Sequence, residues 1–455
     1  MPIIPGNELY YVIHILIAVG VVGWLSYKSE TQHKVVLFII GLFLLGGSIL
    51  EITTFKIPGV GFMEIQPDRF VFFFSVGYLI MLIRYPHNRD LIRRRWIIPA
   101  YEWAIYAYAG FILIALAFHV STLGMKEYIF KTTNFMRYVS LYLLLKATAD
   151  KGMFKGIGQV FVIGSVISSL YAIIQFGVDP FFMRYGEMRI AFGSAVRSNG
   201  MFNTEYFHSY FVFIGFAWTL VMIKQPKIKW GLVAIYIPGL AVTFHRMTWL
   251  ILVVFMGVYL LWFYRARLSL LGISGLVGAI LVLGVGMFYF EEINKSQMVQ
   301  ERVNERVDSR FGYYDMVLSN IGEKPIFGYG GKNNDVYYYA MLRITKSLAR
   351  ATGEEGSIHN GYLSNLFYYG IPAFLLFVFM IISALIFYLR LAREHKIYTI
   401  PFLFCLVFLI ANMTNSFLPP KHTAMMLGIQ LGLFGGVLQN RLFPMNKPQL
   451  SSEEA

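Results

Sequence analysis

The chain has 455 residues, 57% hydrophobic and only 14% charged, with a mean hydropathy of +0.59, a balance that excludes an ordinary soluble domain. A net charge of +14 would suit nucleic acid, but the basic residues are parcelled into short loops between apolar segments, so no such partner is expected. The single cysteine, Cys405, lies in an apolar run, which excludes an intramolecular disulfide.

Apolar segments able to cross a hydrocarbon core of about 30 Å recur along the whole chain. Thirteen are read, at 8–26, 35–52, 69–83, 97–118, 127–145, 156–176, 204–223, 230–245, 247–264, 268–290, 360–389, 398–417 and 423–440. Some are short or closely spaced, so the expected number is 12 to 14 in an all-α, polytopic membrane protein. The start MPIIPGNELYY lacks a basic n-region, so the first segment is expected to be retained. Loops 27–34, 84–96, 146–155, 224–229, 265–267 and 390–397 are short and basic and alternate with the others. The positive-inside rule makes them cytoplasmic, with the N-terminus outside and the tail 441–455 inside.

The external face then carries 53–68, 119–127, 177–203, the turn 245–247, the loop 291–358 and the turn near Pro419–His422. Two of these exceed what a connector needs. Within 291–358, Val299, Val303 and Val307, then Phe311, Tyr314 and Leu318, follow a helical period. Asp308 or Ser309 would cap the second helix and Gly322 with Pro325 would end it. The chain thus divides into ten spans over 1–290, a partly helical loop at 291–358, and three spans over 359–440. No internal repeat is evident, which weakens a transporter reading.

Basic residues on the external face run against the topological bias and need another reason. Arg184, Arg189 and Arg197 lie in MRYGEMRIAFGSAVRSNGMFN and Arg246 in AVTFHRMTW, between two apolar segments with almost no loop. An ionisable residue there marks a pathway or a site more often than a snorkelling side chain. Arg302 and Arg306 alternate with Glu301, Glu305 and Asp308, and a solvated face laced with weak ion pairs explains them. Arg310 adjoins Phe311, Tyr313 and Tyr314, a setting suited to an anionic or sugar ligand. Arg137, inside a span, is expected to pair with a polar helix neighbour.

No zinc-type His or Cys spacing, no Walker A motif, no Rossmann glycines and no D-x-D occur, so neither a metal nor a nucleotide cofactor is expected. His359 and Asn360 open SIHNGYLSNLFYYGIP at the mouth of an apolar helix. Asn360 suits an N-cap, whereas His359 has a side chain able to exchange protons near neutral pH.

Four stretches in this order, RSNGMFN (197–203), TFHRMTW (243–249), RFGYYDMVLSNIGEKPIFGYG (310–330) and HNGYLSNLFYYGIP (359–372), resemble the O-antigen ligase and polymerase superfamily of bacterial envelope assembly, and IQPDRF (65–70) is similar to a further family feature. The resemblance implies a metal-independent glycosyltransferase of the GT-C type. It would take a glycan from undecaprenyl diphosphate on the periplasmic side of the inner membrane and pass it to a hydroxyl of a lipid-linked or glycolipid acceptor, with membrane lipids and a chain-length regulator as further partners. It assigns catalytic roles to Arg197, Arg246, Arg310 and His359, and Arg189, Asn360, Phe311 and Tyr314 are expected to contact substrate. Two departures stand out: FNTEY replaces the common N-P-N, leaving Arg197 or Arg189 as the first essential arginine, and His245 stands where a small residue usually precedes the second. A polymerase is the leading expectation. A ligase or protein O-oligosaccharyltransferase comes next, and a transporter of lipid-linked sugars is the alternative from a different class.

Overall fold

The computed structural model describes residues 8–48, 55–56, 64–65, 67–84, 98–185, 188, 190–192, 195–263, 314–330, 358, 360–413, 421–440 and 442. Among the described residues, twelve long helices each overlie one expected segment. They are α1 Glu8–Lys28, α2 Lys34–Gly46, α3 Pro67–Arg84, α4 Ala100–Phe118, α5 Met125–Thr148 and α6 Lys151–Gly177, followed by α7 Glu205–Met222, α8 Pro226–Ala241, α9 Arg246–Phe263, α10 Gly361–Glu394, α11 Thr399–Ala411 and α12 Lys421–Gln439. The remaining expected segment, 268–290, lies outside the described residues. Four helices, α1, α4, α6 and α10, are long and apolar enough to cross a membrane, and several shorter ones are comparably apolar.

Helix ends follow local chemistry. Asp150 caps α6 by accepting from Met153 N at 2.6 Å, and Pro226 occupies the first turn of α8, where its missing N–H costs nothing. The all-α expectation needs one correction of detail. Two short antiparallel hairpins, β1 Phe55–Lys56 with β2 Glu64–Ile65 and β3 Ile190–Phe192 with β4 Ala195–Val196, occur in the expected external segments 53–68 and 177–203. A backbone that leaves a helix must still pair its N–H and C=O groups, and these segments do so with themselves.

Loop contacts join segments that the charge rule places on one side. At the basic end, Asp150 accepts from Thr31 Oγ1 (2.7 Å) and Gln32 N (3.2 Å), and Asn440 Nδ2 donates to Ala149 O (2.7 Å). At the opposite end, Asn203 N donates to Ser48 Oγ (2.8 Å), Ser198 N to Val242 O (3.2 Å) and Gly361 N to Asn412 O (2.8 Å).

α7 is buried on every side along most of its length and forms the centre of the bundle. Close helix approach rests on small residues, as expected where lipid removes the hydrophobic drive between helices. Gly428, Gly432 and Gly436 of α12 face backbone carbonyls of α5, leaving no room for a Cβ. Arg137 is buried, and its Nη2 donates to Asn134 Oδ1 at 2.8 Å, the helix-neighbour pairing expected for it.

Candidate active site

The turn 197–203 is built from beneath. Gln175, in the last turn of α6, accepts from Asn199 N and Gly200 N at 3.0 Å each, and donates to Phe182 O and Gly200 O at 2.9 Å each. Gly200 takes a φ of 57°, and a Cβ there would collide with His208 Nδ1 and Ser168 Oγ. In RSNGM, residues 198–201 are therefore buried scaffold, and Arg197 alone remains partly exposed. Its Nη1 donates to Glu205 Oε1 at 3.0 Å, while Nε is buried without a hydrogen-bond partner among the described residues.

Glu205 belongs to FNTEY, so the departure from the family pattern supplies the counter-ion of Arg197. Arg184, only 1% exposed, braces the same turn by donating from Nη2 to Arg197 O at 2.8 Å and from Nε to Pro180 O. Burial pushes the Arg184 pKa down to about 10 and the nearby Glu205 charge opposes that shift, so the guanidinium stays charged at neutral pH. Glu205 thus pairs with Arg197 and offsets part of the burial of Arg184.

Arg246 is the first residue of α9 and is exposed. It follows the 242–245 turn that receives the hydrogen bond from Ser198, which puts Arg197 and Arg246 on neighbouring backbone. Beside this turn a narrow groove with about 10 Å³ of free space, room for a single water, lies between α7, α9 and α11, with His245, Thr248 and Ser209 as polar lining and Tyr210, Ile251 and Ala411 among the apolar lining.

The last residues of α11 lead to the HN motif. Asn360 Oδ1 accepts from Tyr362 N (3.0 Å) and Leu363 N (3.1 Å), capping α10, and Asn360 Nδ2 donates to Met413 O at 3.1 Å. The cap expectation therefore holds for Asn360. Ile358 is buried and its carbonyl accepts from Ser364 Oγ at 3.1 Å. Tyr314 opens the helix 314–320 and is half-buried against the core. Among the expected site residues, Arg189, Arg310, Phe311 and His359 lie outside the described residues.

The motifs PIFGYG and YYGIP form one interlocking unit. α10 breaks at Gly370, which has φ 85° and ψ 179°, and Pro372 has no N–H to give to the turn below. The carbonyls of Phe367 and Tyr368 instead accept from Tyr329 N (2.9 Å) and Gly330 N (2.8 Å), and Ile371 N donates to Pro325 O (2.8 Å). Gly328 and Gly330 also have positive φ, and the Tyr329 ring stacks on Phe367 with centroids 4.7 Å apart. Phe327 stacks on Phe118 at 4.1 Å, and His119 Nε2 donates to Phe327 O at 3.2 Å. The end of the long external loop is thereby pinned against α4 and α10.

Sequence reasoning singled out the arginines as candidates and foresaw the Asn360 cap, but not the contacts of Glu205, Gln175, Ser209 and Thr248. None carries a motif of its own; each acts only through the neighbour that the fold sets against it.

Residues 231–378, about one third of the chain, match the family model described as O-antigen ligase. The matched segment includes Arg246, both interlocking motifs and Asn360, but not Arg197. An uncharacterized protein of Haemophilus influenzae is 26% identical over 104 residues, which is 23% of this chain and 26%, about a quarter, of the relative's length. The family match, falling on the two interlocking motifs and the arginine-led start of α9, supports assigning the chain to the O-antigen ligase and polymerase superfamily.

Proposed function

We propose that the protein is a membrane glycosyltransferase that moves a glycan from undecaprenyl diphosphate to a sugar hydroxyl of a lipid-linked acceptor repeat, on the periplasmic face of the inner membrane. The observation that carries this reading is the continuity of one backbone network: Arg197 beside the 242–245 turn, Arg246 after it, the groove, and the end of α11 tied to the cap next to His359. These are the residue types that the reaction needs. A diphosphate leaving group gains negative charge as the glycosidic bond breaks, and guanidinium groups fixed in place stabilise that charge more than the ground state. The arginine fork matches phosphate oxygens and does not lose its proton. In this reading His359 takes the acceptor proton as the hydroxyl attacks, for a contribution of about 10² to 10⁴ in rate. The chemistry calls for no metal ion, since arginines supply the positive charge.

Polymerase is the preferred form and a ligase to a glycolipid core is the second. Glycan analysis of a deletion strain separates them. Loss of a polymerase leaves one repeat unit on the acceptor; loss of a ligase leaves long chains on the carrier; an unaltered glycan profile would sink both.

A further inference from the structure

α7 carries a buried imidazole that the transfer outlined above does not use. His208 has no exposed surface, and both of its ring nitrogens are engaged. Nε2 lies 3.2 Å from the carbonyl oxygen of Gly239 in α8, and a carbonyl can only accept, so Nε2 carries a hydrogen. An imidazolium buried to this depth against only a hydroxyl and a carbonyl would be costly, so the ring is neutral and Nδ1 offers its lone pair. Ser168 Oγ of α6, 2.7 Å away, then donates to Nδ1, and its oxygen accepts from Met201 N at 3.3 Å. Each bond in this chain has one direction, from the turn 197–203 through α6 and α7 to α8.

The contacts around the ring leave it no slack. Gly200 lies so close to Nδ1 that a Cβ there would collide with it, and Gly239 approaches Ser169 of α6 equally closely. Three residues after Gly239, the Val242 carbonyl accepts from Ser198 N at 3.2 Å. The turn that carries Arg197 is therefore joined to the end of α8 twice, directly at Ser198 and from beneath through His208. From this we infer that His208 is a positioning residue, which locks the turn 197–203 to α6 and α8 and so holds the Arg197 guanidinium in place for the leaving diphosphate. The task assigned to Arg197 rests on the proposed glycosyltransferase reading; the lock rests on the geometry alone. An apolar side chain would fill the same space without partners to satisfy, whereas a buried polar network with every member bonded specifies one arrangement of the backbone around it. That arrangement leaves residues 198–201 buried and Arg197 partly exposed beside them.

Two readouts on the full-length protein in nanodiscs test this, amide hydrogen exchange over 197–203 and steady-state transfer with undecaprenyl diphosphate-linked repeat units. H208F keeps a ring of similar size and removes both bonds. It should raise exchange in that turn about tenfold and lower kcat about tenfold with KM unchanged, because a guanidinium held loosely loses transition-state contacts first. H208Q, whose amide N–H reaches towards Gly239 O, and H208N, whose amide oxygen reaches towards Ser168 Oγ, each keep half of the bridge and should fall between H208F and wild type. Y388F is the comparison for a purely structural loss, since it removes the buried Tyr101–Tyr388 bond of 2.9 Å towards the basic end of the bundle. It should lower the melting temperature and leave both kcat and the exchange of 197–203 as in wild type. The inference is overturned if H208F leaves exchange or kcat at wild-type values. It is equally overturned if Y388F lowers kcat as much as H208F does, or if H208Q and H208N recover nothing and all three His208 variants lose kcat only in step with melting temperature. Wild type that forms no glycosidic bond sinks the transferase reading by itself; the lock is then kept by a rise of exchange in H208F and lost without one.

Discussion

Arg246 sits in the first turn of α9, where the helix dipole disfavours a cation by about 0.3–1 kcal/mol. Under the proposed function, the diphosphate of the donor lies against this cation and offsets that cost. R246A is therefore expected to reduce transfer by about 10² or more, in the range found when one preorganised donor is removed from a developing oxyanion. R246K, which keeps the charge without the fork, should recover part of that loss; steady-state transfer assays at matched protein levels provide the comparison. Arg197 pairs with Glu205 at 3.0 Å. Replacing Glu205 by Gln removes the carboxylate that pairs with Arg197 and offsets the burial of Arg184. The expected outcome is a melting temperature several degrees lower in detergent, and E205Q melting with wild type would show that the pair contributes nothing. The arginines were legible in the sequence because they oppose the topological charge bias. Glu205 was not legible in that role, since a carboxylate eight positions away becomes a partner only when the turn 197–203 folds back over Gln175.

The helix break in α10 shows what one element asks of another. Gly370 is left-handed, and a Cβ on it would collide with the carbonyl oxygen of Ile326, so G370A combines roughly 1–2 kcal/mol of backbone strain with loss of the docked turn. The same holds for Gly328, whose Cβ would meet the Phe367 carbonyl oxygen. Either substitution should lower both the melting temperature and transfer, because the clasp holds the short helical segment that Asn360 caps. N360A should cost about 1 kcal/mol of helix-end stability. A G370A protein with wild-type melting behaviour would contradict the interlock. Reading the sequence identified P-x-x-G-x-G and the HN helix as separate signatures. Their mutual fit stayed hidden because the carbonyls of Phe367 and Tyr368 can accept from Tyr329 N and Gly330 N only once Gly370 and Pro372 have broken the helix ladder.

For the whole molecule, hydropathy was the most informative signal. The twelve long helices among the described residues each coincide with an expected segment, because an apolar run of this length in lipid has no alternative to a helix that pairs its own backbone. The short hairpins in two external segments escaped notice, as two- or three-residue strands carry no periodicity. The sidedness expected from charge can be measured directly. With the one native cysteine, buried Cys405, replaced by Ala, a single cysteine at position 188 should react with a membrane-impermeant thiol reagent in intact spheroplasts. Cysteines at 30 and 225 should react only after permeabilisation. The reverse pattern would invert the topology and remove the arginines from the periplasmic face.

Bond formation by the purified protein tests the central claim most directly. Wild type in nanodiscs, given undecaprenyl diphosphate-linked repeat units and no added metal, is predicted to yield a longer lipid-linked glycan, which mass spectrometry resolves by repeat mass. R246A and H359A, inserted and melting like wild type, are predicted to leave the substrate unextended. Equal product from all three proteins would contradict the account, as would a wild type that carries the lipid between leaflets without lengthening its glycan.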